Sequence, residues 1–220
     1  MPASRPAQPI RLHRHPLSGH SHRVELLLSL LDLPAELIDV DLAAGAHKKP
    51  EFLAKNPFGQ VPMIEDGTLR LSDSNAILVY LATKYGDDGW LARDPEGAAA
   101  LQRFLSVAAG EVYRGPCAAR LATLFGAPFD LAAAQAVARQ LFTTLEAHLA
   151  SRAFLAGPRA TIADVSCYSY IAHAPEGGIP LDGYPSIRAW LRRIESLPRF
   201  VPMKASRIPA AAQSGSAGAS

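Results

Sequence analysis

Residues 13 to 25, HRHPLSGHSHRVE, concentrate side chains suited to chemistry. His13, His15, His20 and His22 fall within ten positions, with Ser18 and Ser21 among them. Converging imidazoles can hold a metal, an imidazole beside a hydroxyl can act as its base, and a hydroxyl at a helix start can cap the helix or donate to an anion there. His13 and His15 share a strand face, whereas His20 and His22 belong to a loop and a helix start, so no convergent ligand set and no metal are expected. The histidines are expected to line or rim a cleft, or to be solvated. Ser21, being closer to the helix, is the better N-cap.

A second group of residues lies further on. In NPFGQVPMIEDG (56–67), Pro62 stands just before a strand, where a proline fits only at an edge or a special turn. A cis Val61–Pro62 bond is expected, with the Val61 backbone turned outward to pair with an extended, peptide-like ligand. In LSDSNAI (71–77), Ser74 is an N-cap candidate whose free helix amides would take a carboxylate-sized anion. Asp73 beside it could accept from a ligand ammonium. Backbone, anion hole and acid together describe a site for a small peptide.

These residues need a frame to bring them together. IRLHR (10–14) alternates and reads as a strand. Val24, Leu27, Leu28 and Leu31 follow as one buried helix face, ended by Pro34. ELIDV (36–40) is a second strand, and GAHKKPEFLAKNP is a loop with one helical turn. PMIE and TLRL flank Asp66-Gly67 as a β-hairpin. NAILVYLATKY is a helix. The order is β-α-β-(α)-β-β-α. Beyond about residue 90 the patterns are helical only, over roughly 95–122, 130–150, 162–173 and 185–197. Residues 1–9 and 205–220, rich in small, polar and Pro residues, read as a loose arm and a disordered tail.

Bulk properties narrow the classes. The chain has 220 residues, 49% of them hydrophobic, and a net charge of +2. That charge gives no reason to expect nucleic acid or a membrane surface as partner. Cys117 and Cys167 are far apart and suit a reducing compartment. No apolar leader and no run long enough to span a bilayer is seen, so a cytoplasmic location is expected.

PLSGHSHRVELLLSLLDLP, NPFGQVPMIEDG, LSDSNAILVYL and FLAGPRATIADVSCYSY together resemble the cytosolic glutathione transferase superfamily, over roughly residues 10 to 203. The resemblance implies an α+β thioredoxin-like N-terminal domain (10–88), followed by an all-α C-terminal domain (95–204). It implies glutathione as co-substrate, no metal, a small, hydrophobic electrophile, and a homodimer pairing the first domain of one chain with the second of the other. Where redox relatives place a cysteine, this chain has serine, as in the serine-type classes (theta, zeta and their bacterial kin). Counting back from Arg23-Val24 puts the serine that donates to the glutathione thiolate on Ser18, with Ser21 and His20 as contenders and His20 as a possible base. His47, Lys49 and Gln60 would reach the glycine carboxylate, with Lys48 beside them, while Val61, Pro62, Asp73 and Ser74 hold the rest. Tyr113 and Arg114 are candidates for the second-substrate pocket, with Tyr168 and His173 further on. Alternatives are a binding or regulatory protein of the same fold without turnover, and a glutathione-dependent disulfide reductase or peroxidase.

Thr161-Ile162-Ala163-Asp164 has capping-box form with Asp for the usual Glu. It is read as structural, and Asp164→Ala is expected to cost about 1 kcal/mol or more.

Overall fold

The computed structural model describes residues 5–87 and 89–206. The outer ends of the expected arm and tail, 1–4 and 207–220, lie outside the described residues.

Ile10 and Leu12 alternate inward on β1 (Ile10–Arg14) and are fully buried. Helix α1 (Gly19–Leu30) lays Val24, Leu27 and Leu28 into the same core. Strand β2 (Ala35–Asp39) runs parallel to β1. The loop that follows contains a short 3₁₀ turn (Ala46–Lys48) and one turn of helix, α2 (Pro50–Leu53). The hairpin is present as β3 (Met63–Asp66) and β4 (Leu69–Ser72), with Gly67 supplying the positive φ of the turn. Helix α3 (Ser74–Tyr85) adds Ile77, Leu78 and Leu81 to the core shared with α1. The sheet order is β2-β1-β3-β4.

The register gathers the candidate residues. Arg14, at the exit of β1, pairs with Asp39 at the exit of parallel β2. Antiparallel β3 enters opposite, with Met63 against His13, and Ser72 at the exit of β4 pairs with Met63. The loops after β1 and β2, the entrance to β3 and the start of α3 therefore all open at one end of the sheet.

The second domain is helical: α4 (Pro95–Ala109), α5 (Ala118–Phe125), α6 (Leu131–Leu149), α7 (Ile162–Ala172) and α8 (Pro185–Glu195). The single helix expected over 95–122 is broken. Gly110 ends α4, and a wide π turn (Tyr113–Cys117) carries Pro116, which has no amide for a regular α-helical bond. Gly115 sits in that turn where a Cβ would lie 3.0 Å from the Ala138 backbone, so the break lets α6 approach closely. Helix α7 is buried from Ile162 to Ile171, and two of its serines find partners in the sheet domain. Ser166 donates to Asn75, and Ser169 bonds the His22 ring at 2.8 Å. The capping box forms as the sequence predicts. Cys117 and Cys167 are both free and buried.

Candidate functional site

The turn between β1 and α1 is held by its own hydrogen bonds. Ser18 N donates to His15 O at 2.9 Å, and Leu17 N to His15 Nδ1 at 3.3 Å. His15 N donates to Ser21 Oγ at 3.3 Å. Ser21 N donates to Ser18 Oγ at 3.2 Å, which makes Ser18 the N-cap of α1. The expected assignment of the cap to Ser21 is corrected: α1 begins at Gly19, five residues ahead of its first aliphatic anchor, because buried Gly19 and Ser21 extend the helix under Tyr170. Ser21 is turned inward and is 1% exposed, whereas Ser18 is half-buried at the mouth. Ser18 Oγ accepts from the helix and keeps its own proton to give, at the positive end of α1.

The four histidines diverge, and three serve structure rather than rimming a cleft. His13 Nε2 meets Glu65 Oε1 at 2.6 Å beneath the edge of Phe52. Burial would raise the Glu65 carboxyl, but hydrogen bonds from His13 and Lys55 hold it down to about 2. His15 caps its own turn. His22 bridges Ser169 Oγ and the Val201 carbonyl (2.9 Å), and burial lowers its pKa to about 4. Among the described residues no group of three or more His, Cys, Asp or Glu side chains is placed to share a metal ion.

His20 is different. Its Nδ1 lies 2.9 Å from Nη1 of Arg23, and a guanidinium only donates. Nδ1 therefore holds the lone pair and the ring proton sits on Nε2. Burial first, and the Arg23 charge second, keep the imidazole well below its ordinary pKa. The nitrogen a base would use is occupied, which removes the geometry expected of a thiol base. The ring instead meets Tyr170 edge-to-face (5.0 Å) and lies tilted against Tyr113 (6.1 Å).

At the start of α3 the cap is Asp73, not Ser74 as expected. Asp73 takes a positive φ of 71°, and its Oδ1 accepts from Ala76 N at 2.9 Å. With ψ at 121° Asp73 lies outside the αL well, a backbone conformation that few non-glycine residues adopt. Ser74 becomes the first helical residue, so the amides of Ser74 and Asn75 precede any intrahelical acceptor. Ser74 Oγ accepts from Arg23 Nη1 at 3.2 Å. Arg23 is 1% exposed, and its Nε and Nη2 have no partner among the described residues. Sequence reasoning missed Arg23. Its spacing to Leu26 and Leu27 puts it on the apolar face of α1, the one signal available.

The Val61–Pro62 bond is cis, and the β1–β3 ladder ends at Met63, so Val61 stands outside it. The loop carrying His47, Lys48 and Lys49 closes on Gly59, whose carbonyl accepts from Lys48 Nζ at 2.8 Å. Gln60 is exposed next to it, its carbonyl held by Asn56 Nδ2 at 2.8 Å. Burial lowers the His47 imidazole, and its buried Nδ1 has no partner among the described residues. Lys49 is exposed.

Tyr113 and Arg114, together with Phe129, Ala134 and Val137, line a mainly apolar cavity of about 250 Å³ between the π turn and α6. Tyr168 and His173 do not join it. Tyr168 is core, its hydroxyl on Glu195 (3.0 Å), and His173 bonds Glu176 (2.8 Å).

A four-stranded sheet in the order β2-β1-β3-β4, the candidate loops gathered at one end, and an all-helical domain whose α7 packs against α1 and α3 define a two-domain thioredoxin-like architecture. The family models for the glutathione S-transferase N-terminal and C-terminal domains match residues 8–83 and 98–193. Glutathione S-transferase 3 of Zea mays is 37% identical over 205 residues, covering 87% of this chain and 91% of its own. A glutathione S-transferase structure from Pseudomonas fluorescens superposes with a TM-score of 0.82 at 31% identity, covering 90% of this chain and all of its own. A glutathione transferase homolog from Drosophila mojavensis, solved with bound glutathione, gives a TM-score of 0.78 at 29% identity, covering 86% of this chain and 89% of its own. The chain belongs to the glutathione S-transferase family.

Proposed function

We propose that this glutathione transferase ionises the glutathione thiol with the Ser18 hydroxyl, at the amino end of α1, for attack on a small apolar electrophile. The observation that carries the assignment to Ser18 is its hydrogen bonding. Its oxygen is committed to Ser21 N, which leaves the O–H as the one group to donate to sulfur. A thiol of ordinary pKa, about 8.5, is lowered by such a donor and by the helix end. Ser21 is buried and oriented by His15 N, and His20 is engaged by Arg23, so both play supporting parts.

Glutathione carries two carboxylates and one ammonium. The γ-glutamyl carboxylate suits the Ser74 and Asn75 amides, with the Arg23 charge behind Ser74, and the ammonium suits exposed Asp73. The peptide bond next to the cysteine would pair with the Val61 backbone, with Pro62 holding that edge. The glycine carboxylate falls to His47, Lys49 and Gln60. The thiol proton passes to solvent, and the thiolate sulfur forms a bond to the electrophilic carbon seated against Tyr113 and Arg114 as the bond from that carbon to its leaving group breaks, the leaving group departing to solvent with the electron pair. Proximity and a preorganised donor supply the rate.

The assembly is a homodimer in the cytoplasm. Its support is Phe58, 76% exposed, on a loop pinned by Asn56, with exposed Leu69 on edge strand β4. Among the described residues no helix is long and apolar enough to cross a membrane.

Calorimetric titration with reduced glutathione, combined with the thiol pKa of the bound ligand, tests the assignment. Ser18→Ala is expected to keep glutathione affinity, raise the bound thiol pKa and lower kcat on the order of a hundredfold. A raised pKa in Ser21→Ala but not in Ser18→Ala moves the role to Ser21. No binding by the wild type at millimolar ligand overturns the glutathione site.

A further inference from the structure

The turn that presents Ser18 is also held from outside its own domain. Arg120, in the first turn of α5, is completely buried. Its Nη1 donates to the Leu17 carbonyl at 2.8 Å, across the peptide unit that ends in Ser18 N. Its Nε donates to Glu176 Oε2 at 2.6 Å, and its Nη2 to Ser206 Oγ at 3.1 Å. Glu176 uses its other oxygen to accept from Ser206 N at 3.0 Å and to meet His173 Nδ1 at 2.8 Å. Arg120 also stands over the Phe125 ring at 5.9 Å. One guanidinium thus joins α5, the turn after α7, the C-terminal stretch and the loop before the thiol-activating serine. Ser206, expected in the tail, belongs to this network.

A buried guanidinium is costly unless it is paired and hydrogen-bonded, and this one is bonded on all three nitrogens. Its planar fork makes the arrangement directional: once Glu176 and Ser206 set the plane of the ring of donors, the position of Nη1 is set, and with it the Leu17 carbonyl. The amide on the far side of that peptide is Ser18 N, which donates to His15 O. Turning the Leu17–Ser18 peptide would re-aim the Ser18 side chain. A hydrogen bond to a thiolate weakens steeply with angle.

We infer that Arg120 is a positioning residue for the thiol-activating hydroxyl, aimed by Glu176 and Ser206. The inference rests on the reading of Ser18 given above. Arg120 touches neither thiol nor electrophile. The groups assigned to the ends of glutathione, at Asp73, Ser74, Val61 and the 47–49 loop, all sit on the sheet domain and do not depend on it. Loss of the clamp should therefore separate thiol activation from binding, which general destabilisation would not do.

The test uses the full chain in two variants, with Ser18→Ala alongside. Arg120→Met/Glu176→Gln removes both charges together and leaves no unpaired buried ion. Arg120→Lys keeps a charge that can reach Glu176 or Leu17 but cannot reproduce the fork. Both are expected to bind glutathione within about threefold of the wild type, to raise the bound thiol pKa by about half a pH unit or more, and to lower kcat about tenfold. Should the double variant fail to fold, Arg120→Lys alone decides. A raised thiol pKa in Ser18→Ala with none in Arg120→Lys overturns the clamp and leaves Ser18 in place. No change in Ser18→Ala or in either Arg120 variant overturns both readings.

Discussion

Asp164→Ala removes one carboxylate and disturbs three segments at once. Asp164 is fully buried at the start of α7. Its Oδ2 accepts from Thr161 N at 2.9 Å and from Thr161 Oγ1 at 3.1 Å, closing the capping box. Its Oδ1 accepts from Leu155 N and from Trp190 Nε1, each at 2.9 Å, tying the preceding loop and α8 to the same point. Loss of the cap alone costs about 1 kcal/mol. Leu155 N and the indole of fully buried Trp190 are then left without acceptors, at about 1–3 kcal/mol each. The sum is about 3–7 kcal/mol, well above the 1 kcal/mol floor set by the sequence. For a chain of this size it corresponds to a fall in Tm of about 10–20 °C. Thr161→Ala is the matched control. It loses the Ala163 N bond of 3.2 Å but strands no distant donor, so about 1 kcal/mol is expected. Thermal and urea unfolding of both variants, at one protein concentration, measure the difference. An Asp164→Ala cost below about 1 kcal/mol, or no larger than that of Thr161→Ala, would refute the claim that this carboxylate joins three segments.

Two further predictions follow from buried and exposed side chains. His22 has a folded pKa of about 4, lowered by burial below its unfolded value, so the folded state binds fewer protons; stability is full above pH about 6.5 and falls by up to about 3 kcal/mol as pH drops to about 4. Unfolding free energies across that window should flatten in His22→Asn, and an unchanged slope would show that another group carries the acid sensitivity. Phe58→Ser should shift the protein from dimer toward monomer in sedimentation without changing the melting of the isolated chain by more than about 1 kcal/mol, since the ring is 76% exposed within one chain; a dimer of unaltered affinity would remove Phe58 from the interface.

Much of the frame was legible because its signals are local. Alternation in IRLHR, the i, i+3, i+4 run from Val24, Asp66-Gly67 between two short apolar runs, and the Thr161–Asp164 box each encode an element within a few residues, and each is present. The break at Gly110 and Pro116 was missed because an apolar period continues across it, while the π turn answers to the approach of Ala138 from another helix. Ser18 and Ser74 were legible as hydroxyls near helix starts. Which one caps was not, because a cap depends on backbone angles that Tyr170 over Gly19 and the positive φ of Asp73 decide.

Local signals establish the order of strands and helices in the sheet domain, the residues at the sheet's open end and the charges available there, since period, turn chemistry and composition act over short range. The fate of charges within apolar faces is settled only by long-range packing. Arg23 and Arg120 look like any solvated arginine in the sequence, yet both are buried, one against His20 and Ser74, the other between Leu17, Glu176 and Ser206. Arg120 is accommodated because acceptors from distant segments converge on it, and that convergence exists only once the two domains have packed.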